Sequence, residues 1–319
     1  MTTKKLRIVL ISGCIRSGTT LLDNLLGQTP GFFSGGELVD FWQVAQLPER
    51  LCACGTLLRE CRVWKGVLQA LHREPRFSRW QGDGHQYQYL RLRHLWRLIT
   101  PTGRERFLQL AAPYARATID LYEAIAQENN VHTIVDSSKS VERTYLLSHT
   151  QDLDAYVIHL VRDARAVAFS CRRKKSDPSA PNSYMQTYSP AGSALRWMLS
   201  QQVSRLCNIS DRYLLLRYED FITAPDQELR RIFAMIGEPT ERRPKVSDNT
   251  IRLERVHSIN GNANRFKQGP VRLRLDDEWQ SQMSARDRAL VTTLTWPLLK
   301  HYGYDLSRKT SLNTAEMVH

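Results

Sequence analysis

The sequence predicts an α/β protein of three layers, in which helices cover both faces of a central parallel sheet. Residues 6–11 form a nearly continuous apolar run with β-branched residues, which is typical of a strand buried on both faces of such a sheet. Strand-like runs then alternate with helical patterns, at 32–34, 132–135, 155–161 and 213–216. We expect a single domain over residues 1–306, with a helical insertion at about 65–130 and a flexible tail at 307–319.

A turn bracketed by two glycines joins the first strand to the first helix. Gly13 and Gly18 enclose four residues, which is the spacing of a Walker A loop, but Thr19 stands where a nucleotide triphosphatase has lysine. The free N–H groups and the positive dipole end at the start of a helix attract an anion. We therefore predict a P-loop-like phosphate-binding loop with Arg16 as its cation. It consists of Arg16, Ser17, Gly18, Thr19 and Thr20.

A second anion-binding pair follows the strand at 155–161. Arg162 stands at the carboxyl end of that strand, and Ser170 lies eight residues later on the next helix. A guanidinium and a hydroxyl that converge on one anion can hold a phosphate. The alternative is an arginine–aspartate pair at the surface and an ordinary serine inside a helix.

Two further charged residues follow the second and third strands. Glu37 comes soon after residues 32–34, and Lys139 ends the polar quartet DSSK at 136–139. Ligands of α/β proteins bind at the carboxyl ends of the parallel strands, so both side chains are candidates for the site. Ser137 or Ser138 is also expected to cap the next helix.

The composition suits a negatively charged ligand. Lys and Arg number 45 against 32 Asp and Glu, which gives a net charge of +13. A nucleotide, an acidic glycan, a nucleic acid or a membrane surface would explain this charge, and so would an ordinary solvated basic surface. The basic tract at 85–106, with its interleaved aromatics, is better explained as an amphipathic helix than as a nucleic-acid surface. The sequence shows no transmembrane run and no signal-peptide pattern, so we expect a cytoplasmic protein with reduced cysteines.

Three cysteines lie close together in the sequence, at Cys52, Cys54 and Cys61. A zinc site with His72 as the fourth ligand is conceivable. However, Cys-x-Cys is a poor spacing for structural zinc and no second Cys-x-x-Cys follows. We expect a packed structural loop and no metal, with a disulfide or a metal site as the alternatives.

Helix and loop patterns in the rest of the chain add four expectations. Two helices are predicted at 86–99 and 104–128, within the insertion. Residues 175–190 are rich in Pro, Ser and Asn and are predicted to form a long loop that serves as a mobile lid. Residues 251–273 are predicted to be a polar loop or a flap over a nucleotide.

A helix at 191–209 is expected to bury one apolar stripe. That stripe consists of Leu195, Met198, Leu199, Val203 and Leu206.

Taken together, these motifs resemble a known family. The segments SGCIRSGTTLL and HLVRDARAVAFS, with Arg162 and Ser170 at their observed spacing, are similar to those of sulfotransferases that use 3′-phosphoadenosine 5′-phosphosulfate (PAPS). The stretches VDSSK, LRYEDF, CACG…C and HSINGNANRF also resemble features of bacterial members. The resemblance covers most of the chain.

The resemblance implies a role for each candidate residue. The loop at 16–20 would bind the 5′-phosphosulfate, and Arg162 with Ser170 would bind the 3′-phosphate. Arg265 and Lys267 would close over the cofactor, which leaves as 3′-phosphoadenosine 5′-phosphate (PAP). Glycan-modifying members use a glutamate after the second strand, where Glu37 stands, and many cytosolic members use a histidine, for which His257 is the candidate. Arg16 and Lys139 would stabilise the leaving group, with no metal required.

The acceptor is expected to be a small molecule or a saccharide with a hydroxyl or an amine. Several aromatic residues are candidates for its pocket, although most buried aromatics belong to a core. They are Phe41, Trp42, Tyr87, Tyr184 and Tyr188. Two other functions compete with sulfuryl transfer, namely a P-loop kinase that uses ATP and Mg²⁺ and a non-enzymatic nucleic-acid-binding protein. Thr19 in place of lysine argues against the first, and two separate phosphate motifs argue against the second.

Overall fold

The computed structural model describes residues 5–73, 97–98, 100–174, 184–208 and 210–306. The predicted helix at 86–99 therefore lies outside the described residues except for 97 and 98. The first part of the predicted lid, 175–183, and the predicted tail, 307–319, also lie outside them.

A five-stranded parallel sheet forms the centre of the protein, which confirms the predicted fold class. Its strands are β1 Leu6–Gly13, β2 Phe32–Gly36, β3 Thr133–Asp136, β4 Leu153–Val161 and β5 Tyr213–Arg217, in the spatial order β2-β3-β1-β4-β5. The central strand β1 is paired in parallel with β3 on one side and with β4 on the other. The strand order changes direction beside β1, and such a switch point opens a crevice at the carboxyl ends of the strands.

Helices cover both faces of this sheet. The helices of the described residues are α1 Thr19–Gly27, α2 Phe41–Val44, α3 Arg62–His72, α4 Pro101–Asn129, α5 Val141–Ser148, α6 Ala164–Arg172, α7 Pro190–Leu206, α8 Tyr218–Thr223, α9 Pro225–Met235, α10 Trp279–Gln282 and α11 Ala285–His301. None of the described helices combines the length and the apolar character that crossing a membrane requires.

Alternate residues of β1 face opposite layers, as expected for a strand buried on both sides. Ile8 and Leu10 belong to the core under α3, α4 and α5. Val9 and Ile11 belong to a second core, formed with α1, α8 and α9. The burial of each of these side chains stabilises the fold by about 1.5–3 kcal/mol. This fixes the register of β1 and the position of the loop that follows it.

A small antiparallel sheet replaces part of the polar loop predicted at 251–273. Its strands are β6 Val246–Ser247, β7 Thr250–Leu253 and β8 Gly269–Arg272, in the order β6-β7-β8. The prediction missed these strands because they are only two to four residues long. Asp248 and Asn249 form the turn between β6 and β7 with φ 49° and 54°, the conformation of a type I′ hairpin turn.

The predicted apolar stripe of α7 is only partly the buried face, because Val203 is buried and Met198 and Leu206 pack against the core, but two other members do not. Leu195 and Leu199 are 52% and 48% exposed. The buried positions include Ala194, Trp197, Gln201 and Ser204. Ser12 and His159 on the sheet account for the difference. The Oγ atoms of Ser12 and Ser204 lie 2.7 Å apart, and His159 Nε2 lies 2.5 Å from Gln201 Oε1. Polar partners on the sheet therefore select a polar face of this helix.

Candidate active site

The phosphate-binding loop begins where β1 ends and is shaped by Gly18. This glycine has a left-handed φ of 90° and directly precedes α1. Its carbonyl accepts the N–H groups of Leu21 and Leu22 at 3.1 and 3.3 Å. A Cβ atom at this position would lie 2.7 Å from the ring of Tyr218. Glycine is therefore needed here both for its backbone freedom and for its small size.

We expect Gly18→Ala to distort the loop, because it adds left-handed strain of about 1–2 kcal/mol and overpacking of about 1–3 kcal/mol. Gly237→Ala is the matched control, because Gly237 also has a positive φ, 69°, but an added Cβ would meet nothing within 4 Å. Urea unfolding should show the larger loss of stability for Gly18→Ala. Equal losses would contradict a steric role for Tyr218.

Two cations of the site have an unusual backbone conformation. Arg16 follows β1 and has φ 64°, and Lys139 follows the neighbouring strand β3 and has φ 59°. Such left-handed residues other than glycine cost about 1–3 kcal/mol and concentrate at functional sites. Partial burial lowers the pKa of Arg16. Both side chains line one cavity.

Glu37 and Lys139 form an ion pair between the ends of β2 and β3. Lys139 Nζ donates to Glu37 Oε1, and both side chains are mostly buried, at 20% exposure for Glu37 and 12% for Lys139. The backbone N–H of Glu37 donates to the carbonyl of Asn260 at 3.2 Å. The predicted position of these two residues at one edge of the sheet therefore corresponds to a direct contact.

Arg162 lies against the phosphate-binding loop. Its Nη1 donates to the carbonyl of Arg16 at 2.9 Å, and its Nη2 lies 2.9 Å from Asp276 Oδ2. The guanidinium carbon lies 4.6 Å from the centre of the Tyr218 ring. The alternative of a surface arginine–aspartate pair does not hold for Arg162, which is buried. The two anion-binding motifs therefore meet in space.

A cavity of about 350 Å³ lies between these motifs. Three cations surround it, Arg16, Lys139 and Arg162, together with the carboxylates of Glu37 and Asp276. Hydroxyl groups also line it, from Thr19, Thr20, Ser170, Tyr188 and Tyr218. This mixture of guanidinium, ammonium, hydroxyl and helix N-terminus suits a ligand with several anionic oxygens.

A smaller cavity of about 210 Å³, next to residues that follow β4 and β5, has the opposite character. It is lined by five carboxylates, Asp163, Glu219, Asp276, Asp277 and Asp305, against the two guanidinium groups of Arg165 and Arg288. Arg165 already pairs with Asp163 at 2.7 Å. An anionic ligand therefore fits the cavity at the phosphate-binding loop and not this one.

Two buried carboxyl groups hold the polar segments next to Glu37. Asp23 on α1 accepts a hydrogen bond from Ser137 Oγ at 2.9 Å, and burial raises the pKa of Asp23 to about 7. Asp40 accepts from Asn260 Nδ2 at 2.6 Å. Burial, followed by the charge of Glu37, raises the pKa of Asp40 to about 6. The predicted helix cap at Ser137 or Ser138 is wrong, because Ser140 caps α5 by accepting from the N–H of Arg143.

The structure does not bring Arg265 or Lys267 to the cavity. The Arg265 guanidinium is buried and donates to the carbonyl groups of Ile259 and Leu51, each at 3.1 Å. Lys267 is exposed. In this structure Arg265 therefore stabilises the 259–265 segment by hydrogen bonds within it and to Leu51. Neighbouring residues, Asn262 and Asn264, line the cavity instead.

His257 lies apart from the cavity, among the three clustered cysteines. Its Nδ1 is 3.2 Å from Cys61 Sγ and 3.7 Å from Cys52 Sγ. The cavity lining does not include His257, whereas it includes Glu37. Of the two candidate bases, the geometry therefore favours Glu37.

The aromatic candidates for the acceptor pocket divide between core and surface. Phe41 and Trp42 are buried in the core and pack edge-on at 5.1 Å. Tyr184 is 67% exposed, and Tyr188 lines the cavity. Tyr87 lies outside the described residues.

Sequence reasoning missed several residues that line the cavity. Tyr218 directly follows β5, so the same strand-end rule that identified Arg162 would have found it. Met185 lies in the predicted lid, and Asn262 and Asn264 lie in the segment predicted as a loop or a flap, but nothing singled out these residues individually. Asp276 carried no comparable signal. Ser17 is buried, and its Oγ has no hydrogen-bond partner among the described residues.

The fold and the site together define an α/β protein with a P-loop-like loop and a cationic cavity at the carboxyl edge of its sheet. The model of the Sulfotransferase family matches residues 9–242, and the chain belongs to this family. A search among curated proteins found no match.

Two solved structures show the same fold. The sulfotransferase domain from the olefin synthase of Synechococcus PCC 7002 is 23% identical, with a TM-score of 0.54 over 96% of this chain and 98% of that one. The sulfotransferase domain from the curacin biosynthetic pathway is 15% identical, with a TM-score of 0.51 over 96% of this chain and 100% of that one. The chain therefore spans essentially the whole length of both domains.

Proposed function

We propose that the protein transfers a sulfuryl group from PAPS to a hydroxyl or an amine of a small-molecule or saccharide acceptor. The observation that carries this proposal is the 2.9 Å contact between Arg162 Nη1 and the carbonyl of Arg16. This contact joins two segments that are distant in sequence, each of which is predicted to bind an anion. Membership of the Sulfotransferase family supports the reaction class.

The two motifs would hold the two ends of the donor. The N–H groups at the start of α1 and the side chains of Arg16, Thr19 and Thr20 would bind the 5′-phosphosulfate. Arg162 and Ser170 would bind the 3′-phosphate. Arg162 lines the cavity, and its Nε is buried without a hydrogen-bond partner among the described residues. Such a donor fits a ligand rich in acceptor oxygens.

The chemistry then needs a base and charge stabilisation at the leaving oxygen. Glu37 would take the proton of the acceptor as its oxygen or nitrogen attacks sulfur. Arg16 and Lys139 would stabilise the charge that develops on the bridging oxygen of PAP. Lys139 already contacts Glu37, so the acceptor and the donor would meet where this ion pair now lies.

Binding of PAP tests the donor site directly. Wild-type protein should bind PAP more tightly than adenosine 5′-phosphate, which differs only by lacking the 3′-phosphate. Arg162→Ala should lower the affinity for PAP by about 10- to 100-fold, because a hydrogen bond to a charged group contributes about 1.5–3 kcal/mol to the binding free energy. Its affinity for adenosine 5′-phosphate should change little. Isothermal titration calorimetry measures all four affinities.

Two results would contradict this assignment. A wild-type protein that binds Mg·ATP but shows no preference for the 3′-phosphate would favour a kinase. An Arg162→Ala variant that keeps the full preference for PAP would remove Arg162 from the 3′-phosphate site. Incubation with labelled PAPS and a panel of hydroxyl and amine acceptors then identifies the acceptor class.

A further inference from the structure

Three cysteines and one histidine converge beside the central sheet, outside the cationic cavity. The ligand atoms of Cys52, Cys54, Cys61 and His257 all lie within 4.8 Å of one another. Cys54 Sγ is 3.8 Å from Cys61 Sγ. His257 Nδ1 is 3.2 Å from Cys61 Sγ and 3.7 Å from Cys52 Sγ.

The three distances given above are close to those in a tetrahedral metal site. With Zn–S of about 2.3 Å and Zn–N of about 2.0–2.1 Å, the edges of a tetrahedron are about 3.8 Å between sulfurs and about 3.6 Å between sulfur and nitrogen. The Cys54–Cys61 distance of 3.8 Å equals the first value, the two sulfur–nitrogen distances of 3.2 and 3.7 Å lie on either side of the second, and the other pairs lie within 4.8 Å. Three thiolates and one imidazole are also a known donor set for structural zinc.

The local backbone holds the three thiols in this arrangement. The N–H of Cys52 donates to the carbonyl of Thr56, and the N–H of Gly55 donates to the carbonyl of Cys52, each at 2.9 Å. This tight turn brings Cys52 and Cys54 to one side despite their short spacing. Cys61 is the N-cap residue of α3, and the positive end of a helix dipole stabilises a thiolate.

The fourth ligand comes from a distant segment that is fixed by hydrogen bonds. Trp64 Nε1 donates to the carbonyl of His257 at 2.6 Å, and the N–H of Ala53 donates to the carbonyl of Ser258 at 3.1 Å. His72, the candidate fourth ligand suggested by sequence, instead lies with its Nδ1 2.6 Å from the carbonyl of Leu68. In the alternative of a metal site, the fourth ligand would therefore be His257 and not His72.

We propose that Cys52, Cys54, Cys61 and His257 bind one structural Zn²⁺ ion. Four protein ligands close the coordination shell, so the ion would not activate a water molecule. The proposal revises the expectation of a metal-free loop and does not depend on the identity of the sulfuryl donor or acceptor.

The zinc site would tie the loop at 51–61 to the segment that completes the cavity. Just beyond His257, the N–H of Ile259 donates to the carbonyl of Gly35 at 3.2 Å, and the carbonyl of Asn260 accepts from the N–H of Glu37 at 3.2 Å. Asn262 and Asn264 then reach the cavity. The ion would therefore crosslink the 51–61 loop to this segment and hold the segment against the end of β2.

Metal analysis of the full-length protein tests the proposal. Protein expressed with zinc in the medium and purified without chelator should contain one zinc per chain by inductively coupled plasma mass spectrometry. Replacement by Co²⁺ should give the intense visible bands of tetrahedral cobalt bound to thiolate. Native mass spectrometry should show the mass of one zinc with all cysteines reduced.

Variants identify the ligands. Loss of a partner outside the coordination shell already costs about 10–100-fold in metal affinity, so Cys61→Ser and His257→Ala should lose at least as much. His257→Cys should retain zinc as a four-cysteine site, which separates loss of a ligand from loss of folding. His72→Ala and Cys207→Ser are matched controls for a histidine on α3 and for a buried cysteine elsewhere, and both should keep full zinc content.

Two outcomes would overturn the proposal. One is a metal-free protein in which two of the three cysteines form a disulfide, seen as the loss of two hydrogens by mass spectrometry. The other is full zinc content in both Cys61→Ser and His257→Ala, which would place the ion elsewhere.

Discussion

Glu37→Gln is expected to lower kcat by about 10²–10⁴-fold, the range typical for loss of a general base. Glu37 lines the cavity, contacts Lys139 and lies at the end of β2, beside the loop that would hold the phosphosulfate. Glutamine keeps the size of the side chain but does not take the proton from the acceptor. Because the donor is held by other residues, affinity for PAP should stay within a few-fold of wild type.

The measurement must isolate the chemical step. Single-turnover kinetics with saturating labelled PAPS and acceptor separate sulfuryl transfer from product release.

Asp40→Asn is the matched control for this experiment. Asp40 lies three residues away and binds the same Asn260 segment, but it does not line the cavity. The Asp40→Asn variant should retain most of the wild-type rate of sulfuryl transfer. Near-wild-type turnover of Glu37→Gln under single-turnover conditions would exclude Glu37 as the base, and equal losses in both variants would indicate an indirect effect.

The sheet could be predicted from sequence because its strands carry a strong local signal. A strand buried on both faces needs a continuous apolar run, and β1 and β4 each have one. The same pattern located the strand ends, and charged residues at those ends identified Arg16, Glu37, Lys139 and Arg162. Every one of these four lines the observed cavity.

Three other features depend on long-range contacts, which the periodicity of the sequence does not encode. They are the buried face of α7, the hydrogen bonds of Arg265 and the fourth member of the thiol cluster. The apolar stripe of α7 was correct for Val203 but not for Leu195 and Leu199, which are exposed. Ser12 and His159 on the sheet instead select Gln201 and Ser204 as partners. Arg265 was predicted to bind the cofactor, but its guanidinium donates hydrogen bonds to two backbone carbonyl groups. The fourth member of the thiol cluster lies about 200 residues from the cysteines, so local spacing pointed to His72 instead.

Arg143→Met is expected to destabilise the fold by about 3–5 kcal/mol, the cost of leaving a buried charge without its partner. The Arg143 guanidinium is 1% exposed, and its Nη2 lies 2.9 Å from Asp136 Oδ2. Tyr122 donates its hydroxyl to the same carboxylate oxygen at 2.5 Å, and Tyr114 contacts the guanidinium. Burial raises the pKa of both tyrosines, so they remain neutral.

A double-mutant cycle distinguishes an orphaned charge from lost packing. Asp136→Asn combined with Arg143→Met removes both charges, so the double variant should be more stable than Arg143→Met alone. Arg230→Met is the control at the surface. It breaks the exposed pair with Asp226 at 3.0 Å and should cost at most about 1 kcal/mol. Urea unfolding at a constant m-value measures the two single variants, Asp136→Asn and Arg143→Met, the double variant and Arg230→Met.

The location of this buried pair links stability to the site. Asp136 ends β3, and its Oδ1 accepts the N–H of Ser138 at 2.9 Å, one residue before the left-handed Lys139. The ion pair therefore fixes the turn that presents Lys139 to Glu37. Arg143→Met should accordingly slow sulfuryl transfer even at temperatures where the variant is fully folded. A folded variant with the rate of the wild type would show that the turn holds its conformation without the arginine.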